Sequence, residues 1–143
     1  MLDTLIEKRL EILRTQAPDS IGNLLDLQLL EMGEDTYIFR GKTEYWMRNV
    51  AGTLHGGMGA TLADHAMGTI VWCLLPEGTK SATTALEMKY HRPLIPGEDV
   101  RICVRIVSKT KSLIHMTAEL FRDSAPEKLC ISSSATFFVK NNA

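Results

Sequence analysis

The sequence predicts an α+β domain in which an antiparallel sheet of five or six strands wraps one central helix, with a further helix at the amino terminus. Three observations predict it. Apolar and polar side chains alternate with period two over residues 24–42 and again over 80–139, the signature of half-buried strands. Between these blocks, residues 56–75 hold no proline, and Met58, Leu62, Ala66, Met67 and Ile70 recur at the three- and four-residue spacing of one helical face. The strands are joined by short connections, which favour antiparallel neighbours. One sheet with a helix on its concave face is the simplest packing that buries both the strand faces and an apolar helix.

In chain order, Leu2, Leu5, Ile6, Leu10 and Leu13 predict an amphipathic helix over residues 1–17 that stops before Pro18, which cannot continue it. Pro18 to Asn23 reads as a loop. Leu25, Leu27 and Leu29 alternate with Asp26 and Gln28, predicting a strand that turns at Gly33-Glu34-Asp35 and pairs with a second strand from Thr36 to Lys42. Beyond the central helix, Pro76-Glu77-Gly78 breaks the chain. Four strands are then expected: Ser81 to His91, Val100 to Ile106, Ile114 to Leu120 and Leu129 to Val139, with Pro96-Gly97-Glu98-Asp99 and Asp123 to Lys128 as turns. No repeat, linker or low-complexity tract divides the 143 residues, which suit one domain with a sizeable core.

Composition narrows the function. Sixteen basic and 17 acidic residues leave a formal charge of −1, so no overall field draws nucleic acid or an anionic membrane. Cys73, Cys103 and Cys130 are odd in number, widely spaced and in no CxxC arrangement, which predicts reduced thiols and a cytoplasmic compartment. The first residues are too charged for a signal sequence, and no run of ~18 apolar residues offers a membrane span. The four histidines lack metal-ligand spacing and no HExxH occurs, so no metal is expected. There is no GxSxG, which argues against a serine-triad hydrolase.

The chemistry concentrates in Asn49 to Gly68, NVAGTLHGGMGATLADHAMG. His55-Gly56-Gly57 stands at the start of the central helix, where two glycines permit a close backbone approach and leave the first amides open to a ligand. The face opposite the apolar stripe is built of small residues, Gly59, Ala60, Thr61, Ala63 and Gly68, as expected of a helix wrapped by protein on every side. In that setting Asp64 is an anomaly, because a buried carboxylate is costly unless it is hydrogen-bonded or used.

This stretch resembles the Asn…Gly-Thr-Leu-His-Gly-Gly…Ala-Thr-Leu-Asp signature of the PaaI-type (phenylacetic acid degradation) hotdog-fold acyl-CoA thioesterases. The resemblance runs from Asn49 to the end of the chain; the first helix lies outside it. It implies hydrolysis of an acyl-CoA to a carboxylic acid and free CoA, with no cofactor beyond the CoA of the substrate. It also implies a homodimer with shared active sites, either alone or associated into a dimer of dimers. By the same resemblance the Gly56 amide polarises the thioester carbonyl, Asp64 activates water or attacks, and Asn49 orients the water or the carboxylate. His55 positions the loop or the carbonyl, and Thr83 assists the water; read without the resemblance, Asn49 is equally a turn residue and His55 a plain helix cap. Thr84, adjacent in sequence, is not separated from Thr83 by alternation alone; with Gly57 and Met58 it is expected to contact substrate.

A reach argument adds to the motif. Asp64 lies eight residues beyond Gly56, ~12 Å along one helix axis at about 1.5 Å per residue. A base must come within ~3 Å of the water it activates. The expectation is therefore a composite site: two central helices run antiparallel across a two-fold axis, and each helix start faces the other's Asp64. Two alternatives remain open at this level, a hotdog enoyl-CoA hydratase or dehydratase and a non-catalytic acyl-CoA-binding protein. Lys80, Arg92, Lys109 and Lys111 offer either a rim for CoA phosphates or a solvated basic edge.

Overall fold

The computed structural model describes residues 2–140. Helix α1 (Leu2–Gln16) buries Ile6 and Leu10 and stops ahead of Pro18, as its periodicity predicts. A short second helix, α2 (Ile21–Leu25), follows where a loop and the start of a strand were expected. Two caps explain it. Ser20 accepts from the Asn23 N–H at the amino end, and Asp26 adopts a left-handed conformation (φ 43°) at the carboxyl end. Leu25 and Leu27 are buried, so their alternation reports burial correctly, but the strand begins only at Gln28.

Strands β1 (Gln28–Met32) and β2 (Thr36–Gly41) form the expected hairpin, with Asp35 left-handed at the turn (φ 55°). A short 3₁₀ turn (Tyr45–Met47) leads to α3 (Gly56–Leu74), the central helix. Strands β3 (Lys80–Tyr90), β4 (Val100–Lys109), β5 (Leu113–Arg122) and β6 (Leu129–Lys140) complete one six-stranded sheet, antiparallel throughout, in the order β1-β2-β4-β5-β6-β3. The inward residues of the strands are those the alternation marks: Val100, Ile102 and Val104 on β4; Ile114, Met116, Ala118 and Leu120 on β5; Ile131, Ala135, Phe137 and Val139 on β6. They close on Leu62, Ala63, Ala66, Met67, Ile70 and Val71 of α3, all fully buried. Replacing Leu62 by alanine would cost about 2–5 kcal/mol through lost burial and the cavity left behind.

Two features of this packing were not expected. Strand β3 does not pair with its sequence neighbour β4; residues 91–99 carry the chain across to β2, and β3 is left at the sheet edge beside β6. Along its 11 residues every side chain is exposed except half-buried Met88. Nor is α3 wrapped on all sides. Gly59 and Ala63 are buried, but Gly57, Ala60, Thr61, Asp64 and Gly68, spaced by three and four residues, form a strip left open or half-open within the single chain.

Candidate active site

The start of α3 is held by its own flanking residues. His55 is the N-cap, and its Nδ1 accepts from the Gly57 N–H at 3.0 Å. An Nδ1 that accepts leaves the ring proton on Nε2. The bond also uses the Gly57 amide, so Gly57 serves the helix start and not an incoming oxygen. Among the described residues nothing accepts from the Gly56 N–H, which sits in the first helical position, where no intrahelical partner exists. Gly56 is thus the open donor of the pair.

The loop ahead of the helix is built on Asn49. Its Oδ1 accepts from the amides of Ala51 (3.0 Å) and Thr53 (3.1 Å), and its Nδ2 donates to Thr53 Oγ1 (2.8 Å). The side chain that the resemblance assigns to water or carboxylate is here the brace of the turn, and within one chain it does not meet Asp64. On the other flank, Tyr90 at the end of β3 donates its O–H to the Gly56 carbonyl at 2.6 Å. Burial holds this phenol above its ordinary titration range, so it donates as the neutral O–H. Sequence reasoning missed Tyr90 because the contact spans 34 residues and no local pattern announces it. Asn49, His55, Gly56, Tyr90 and Arg92 line a cleft of about 350 Å³. Arg92 Nη1 donates to the Leu129 carbonyl at its rim. Met58, expected at the substrate, instead packs on the core.

Asp64 lies elsewhere. It lines a second cleft, of about 310 Å³, with Thr83, Gly68, Trp72, Phe137 and Leu13. The Thr83 hydroxyl donates to Asp64 Oδ1 at 2.7 Å, which satisfies the half-buried carboxylate. A β-bulge makes the choice between the two threonines. The register of β3 against β6 shifts between Thr83 and Ala85, so Thr83 faces α3, whereas Thr84 donates to the Thr136 carbonyl at 3.1 Å. His65, next in sequence to Asp64, turns away. Its ring packs against Gly22 of α2 and its Nε2 finds no partner among the described residues. Burial lowers its titration range, opposed in part by Asp64 and the Gly22 backbone, so the imidazole stays neutral and is no relay for the carboxylate.

The residues singled out in the sequence therefore fall into two half-sites: a donor half at the start of α3 and a carboxylate half two turns along it. Each is built and hydrogen-bonded, and neither contains the other. Among the described residues no three or more His, Cys, Asp or Glu side chains gather to hold a metal.

Comparison with known proteins bears on what the halves belong to. The family model described as "Thioesterase superfamily" matches residues 51–128, more than half of the chain and the whole of α3. The chain belongs to the thioesterase superfamily. Among curated relatives of this thioesterase-superfamily chain, human acyl-coenzyme A thioesterase 13 is 30% identical over 79 residues, covering 55% of the chain and 56% of that protein. The mouse protein of the same name is 28% identical over 92 residues, covering 64% and 65%. The match thus spans little more than half the length of the human relative. Among solved structures, the E. coli PaaI protein from the phenylacetic acid degradation operon superposes with a TM-score of 0.79 at 15% identity, covering 100% of this chain and 99% of that one. Mouse thioesterase superfamily member 2 gives 0.77 at 21% identity, covering 96% and 97%. The expected hotdog fold, a sheet around a central helix with an additional amino-terminal helix, is the fold observed.

Proposed function

We propose that this chain is an acyl-CoA thioesterase whose active sites are each shared between the two subunits of a homodimer. The observation that carries the reading is the separation of the two half-sites within one chain. Attack on a thioester carbonyl develops negative charge on oxygen, and a preorganised amide is the group that stabilises it. Gly56 N–H supplies that donor at the positive end of the α3 dipole, and His55 presents Nε2–H beside it. A water attacks the carbonyl carbon, and Asp64 of the other subunit takes its proton while Thr83 of that subunit holds the carboxylate. The tetrahedral oxyanion rests on Gly56 N–H until it collapses, breaking the C–S bond and expelling the CoA thiolate, which takes back the proton held by Asp64 and so restores the carboxylate.

The open strip on α3 and the exposed edge β3 support the dimer. A long edge strand is a template for pairing with another copy, and joining two β3 edges brings two α3 strips face to face. Phe138 leaves 45% of its surface open on the sheet face away from α3, and a dimer of dimers would cover it. The three unpaired thiols accord with a cytoplasmic setting. Hydrolysis is favoured over hydration of an enoyl-CoA because the cap position of His55 ties its ring to a backbone amide, not to the carboxylate that proton transfer α to the carbonyl would require.

Release of free thiol from a panel of acyl-CoAs, with Asp64→Asn and Asp64→Ala beside the wild type, tests the reading. Both variants are expected to fold and lose turnover. Undiminished turnover would remove Asp64 from the mechanism, and water addition to enoyl-CoA without thiol release would replace hydrolysis by hydration.

A further inference from the structure

We propose that Tyr90 is a positioning residue for the reaction: through the peptide group between Gly56 and Gly57, its hydroxyl fixes the tautomer and the orientation of the His55 ring. His55 Nε2–H thereby becomes a second donor to the thioester oxygen, beside the Gly56 amide. This rests on the thioesterase reading and deepens it.

The first observation is a chain of hydrogen bonds that runs through one peptide unit. Tyr90 O–H donates to the Gly56 carbonyl at 2.6 Å, and the Gly57 N–H donates to His55 Nδ1 at 3.0 Å. The Gly56 C=O and the Gly57 N–H are the two ends of the same planar peptide group. Donation to its oxygen draws electron density from its nitrogen and makes the N–H a stronger donor, as hydrogen bonds in series reinforce one another. The imidazole is the next link. A firmly held Nδ1 keeps the ring proton on Nε2 and makes that N–H more positive. Every bond donates in the same direction, from the phenol towards the cleft. The Gly56 N–H belongs to the preceding peptide group, between His55 and Gly56, and lies outside the chain. Tyr90 therefore acts on His55 and not on the Gly56 donor.

The second observation is how closely both rings are seated on the helix start. A Cβ at position 56 would lie 3.5 Å from Tyr90 Cζ and Oη, and one at position 59 would lie 3.6 Å from Cε1, so the phenol lies along the first turn of α3. Pairing of Tyr90 with Ile131 across β3 and β6 holds its backbone there. A Cβ at position 57 would come within 3.1 Å of His55 Nδ1, tighter than an ordinary contact. The imidazole has room to fold back onto its own helix start because residue 57 carries no side chain. The third observation is what is left free. Among the described residues nothing pairs with His55 Nε2, and the exposed ring lines the same cleft as Gly56 and Tyr90.

The test combines steady-state thiol release with the ring nitrogens of His55. Wild type, Tyr90→Phe, His55→Ala and the double variant are assayed on a panel of acyl-CoAs, with circular dichroism and Tm confirming that each is folded. Tyr90→Phe keeps the ring and its seat and removes only the hydroxyl. It should lower kcat by about three- to tenfold, the range of one neutral hydrogen bond, with KM within about twofold. In the His55→Ala background the same change should alter kcat by less than about twofold, because the group through which Tyr90 acts is gone. Proton–nitrogen correlation spectra of protein carrying isotope-labelled histidine, assigned with His55→Ala, give the second readout. In the wild type Nε2 should carry the proton and Nδ1 should resonate as a hydrogen-bonded acceptor. Tyr90→Phe should move the Nδ1 resonance towards that of a free acceptor nitrogen, as the Gly57 bond weakens. Unchanged kcat or unmoved ring nitrogens in Tyr90→Phe would overturn the proposal. So would an equal loss of kcat with and without His55, which is what a mere brace of the helix start would give. Thiol release by the wild type from none of the acyl-CoAs would overturn the thioesterase reading, and the ring spectra would still decide the link from Tyr90 to His55.

Discussion

Gly56→Pro removes one hydrogen-bond donor and little else. Gly56 is the first residue of α3, the position in which proline is over-represented because its missing N–H has no helical partner and its φ already suits the helix. Proline also constrains the residue before it to extended conformations, and His55 already has ψ 133°. A Cβ at position 56 would sit 3.5 Å from the Tyr90 ring and hydroxyl, an ordinary contact, and the Gly56 carbonyl that Tyr90 holds is retained. The substitution should leave the fold at least as stable, because proline restricts the unfolded chain by about 0.4–1 kcal/mol where the native backbone accepts it. Catalysis should fall by ~10²–10³ in kcat, the effect of losing one oxyanion donor, equivalent to about 2.7–4 kcal/mol of transition-state stabilisation. Gly56→Ala keeps the N–H and should remain within a few-fold of wild type by this reasoning. The assay is steady-state thiol release with a chromogenic thiol reagent, alongside thermal unfolding. A folded Gly56→Pro protein with wild-type kcat would refute the role given to this amide.

Other consequences are open to measurement. Thr83→Val removes the hydroxyl bonded to Asp64 and should lower kcat by about ten- to a hundredfold, as for loss of a hydrogen bond to a charged group, whereas Thr84→Val should change it by less than about threefold; equal effects would contradict the role of the bulge. Because burial lowers the His65 titration range, the unfolded chain binds more protons than the folded one below pH ~6.5. Stability should be full above that pH and decline as pH falls towards the folded value, with His65→Gln giving a flatter dependence in urea-unfolding titrations. Burial, opposed by Arg9, pushes the Cys73 thiol up from 9.0 to about 11, so alkylation of Cys73 near pH 8 should be about a hundredfold slower in the folded protein than in the unfolded chain, read by mass spectrometry.

Much of this architecture is written locally and therefore legible. Val100, Ile102 and Val104 alternate because one face of β4 meets α3, and the proline-free apolar stripe of α3 needs no knowledge of its neighbours. The reach from Gly56 to Asp64 follows from helix rise alone, and the structure places the two groups in separate clefts. What was hidden depends on partners far away in sequence. Leu25, Leu27 and Leu29 alternate as a strand does, but the Ser20 cap and the left-handed Asp26 commit the first of them to α2. The pairing of β3 with β6 rather than β4 is decided by how residues 91–99 cross the sheet, and with it the long exposed edge. Thr83 and Thr84 are equivalent until the bulge against β6 turns one towards α3. Asn49 was recognisable in the motif and its composition already allowed a turn residue; the hydrogen bonds to Ala51 and Thr53 decide for the turn within one chain.

Subunit mixing examines the shared site most directly. Asp64→Asn and Gly56→Pro chains, each nearly inactive alone, are unfolded together, refolded at equal concentration and assayed for thiol release. With two sites per dimer and random pairing, half the dimers are mixed and each rebuilds one intact site, so activity should return to about a quarter of wild type. Activity no higher than the sum of the two parents, in a mixture shown by native mass spectrometry to contain mixed dimers, would contradict a site built from two chains.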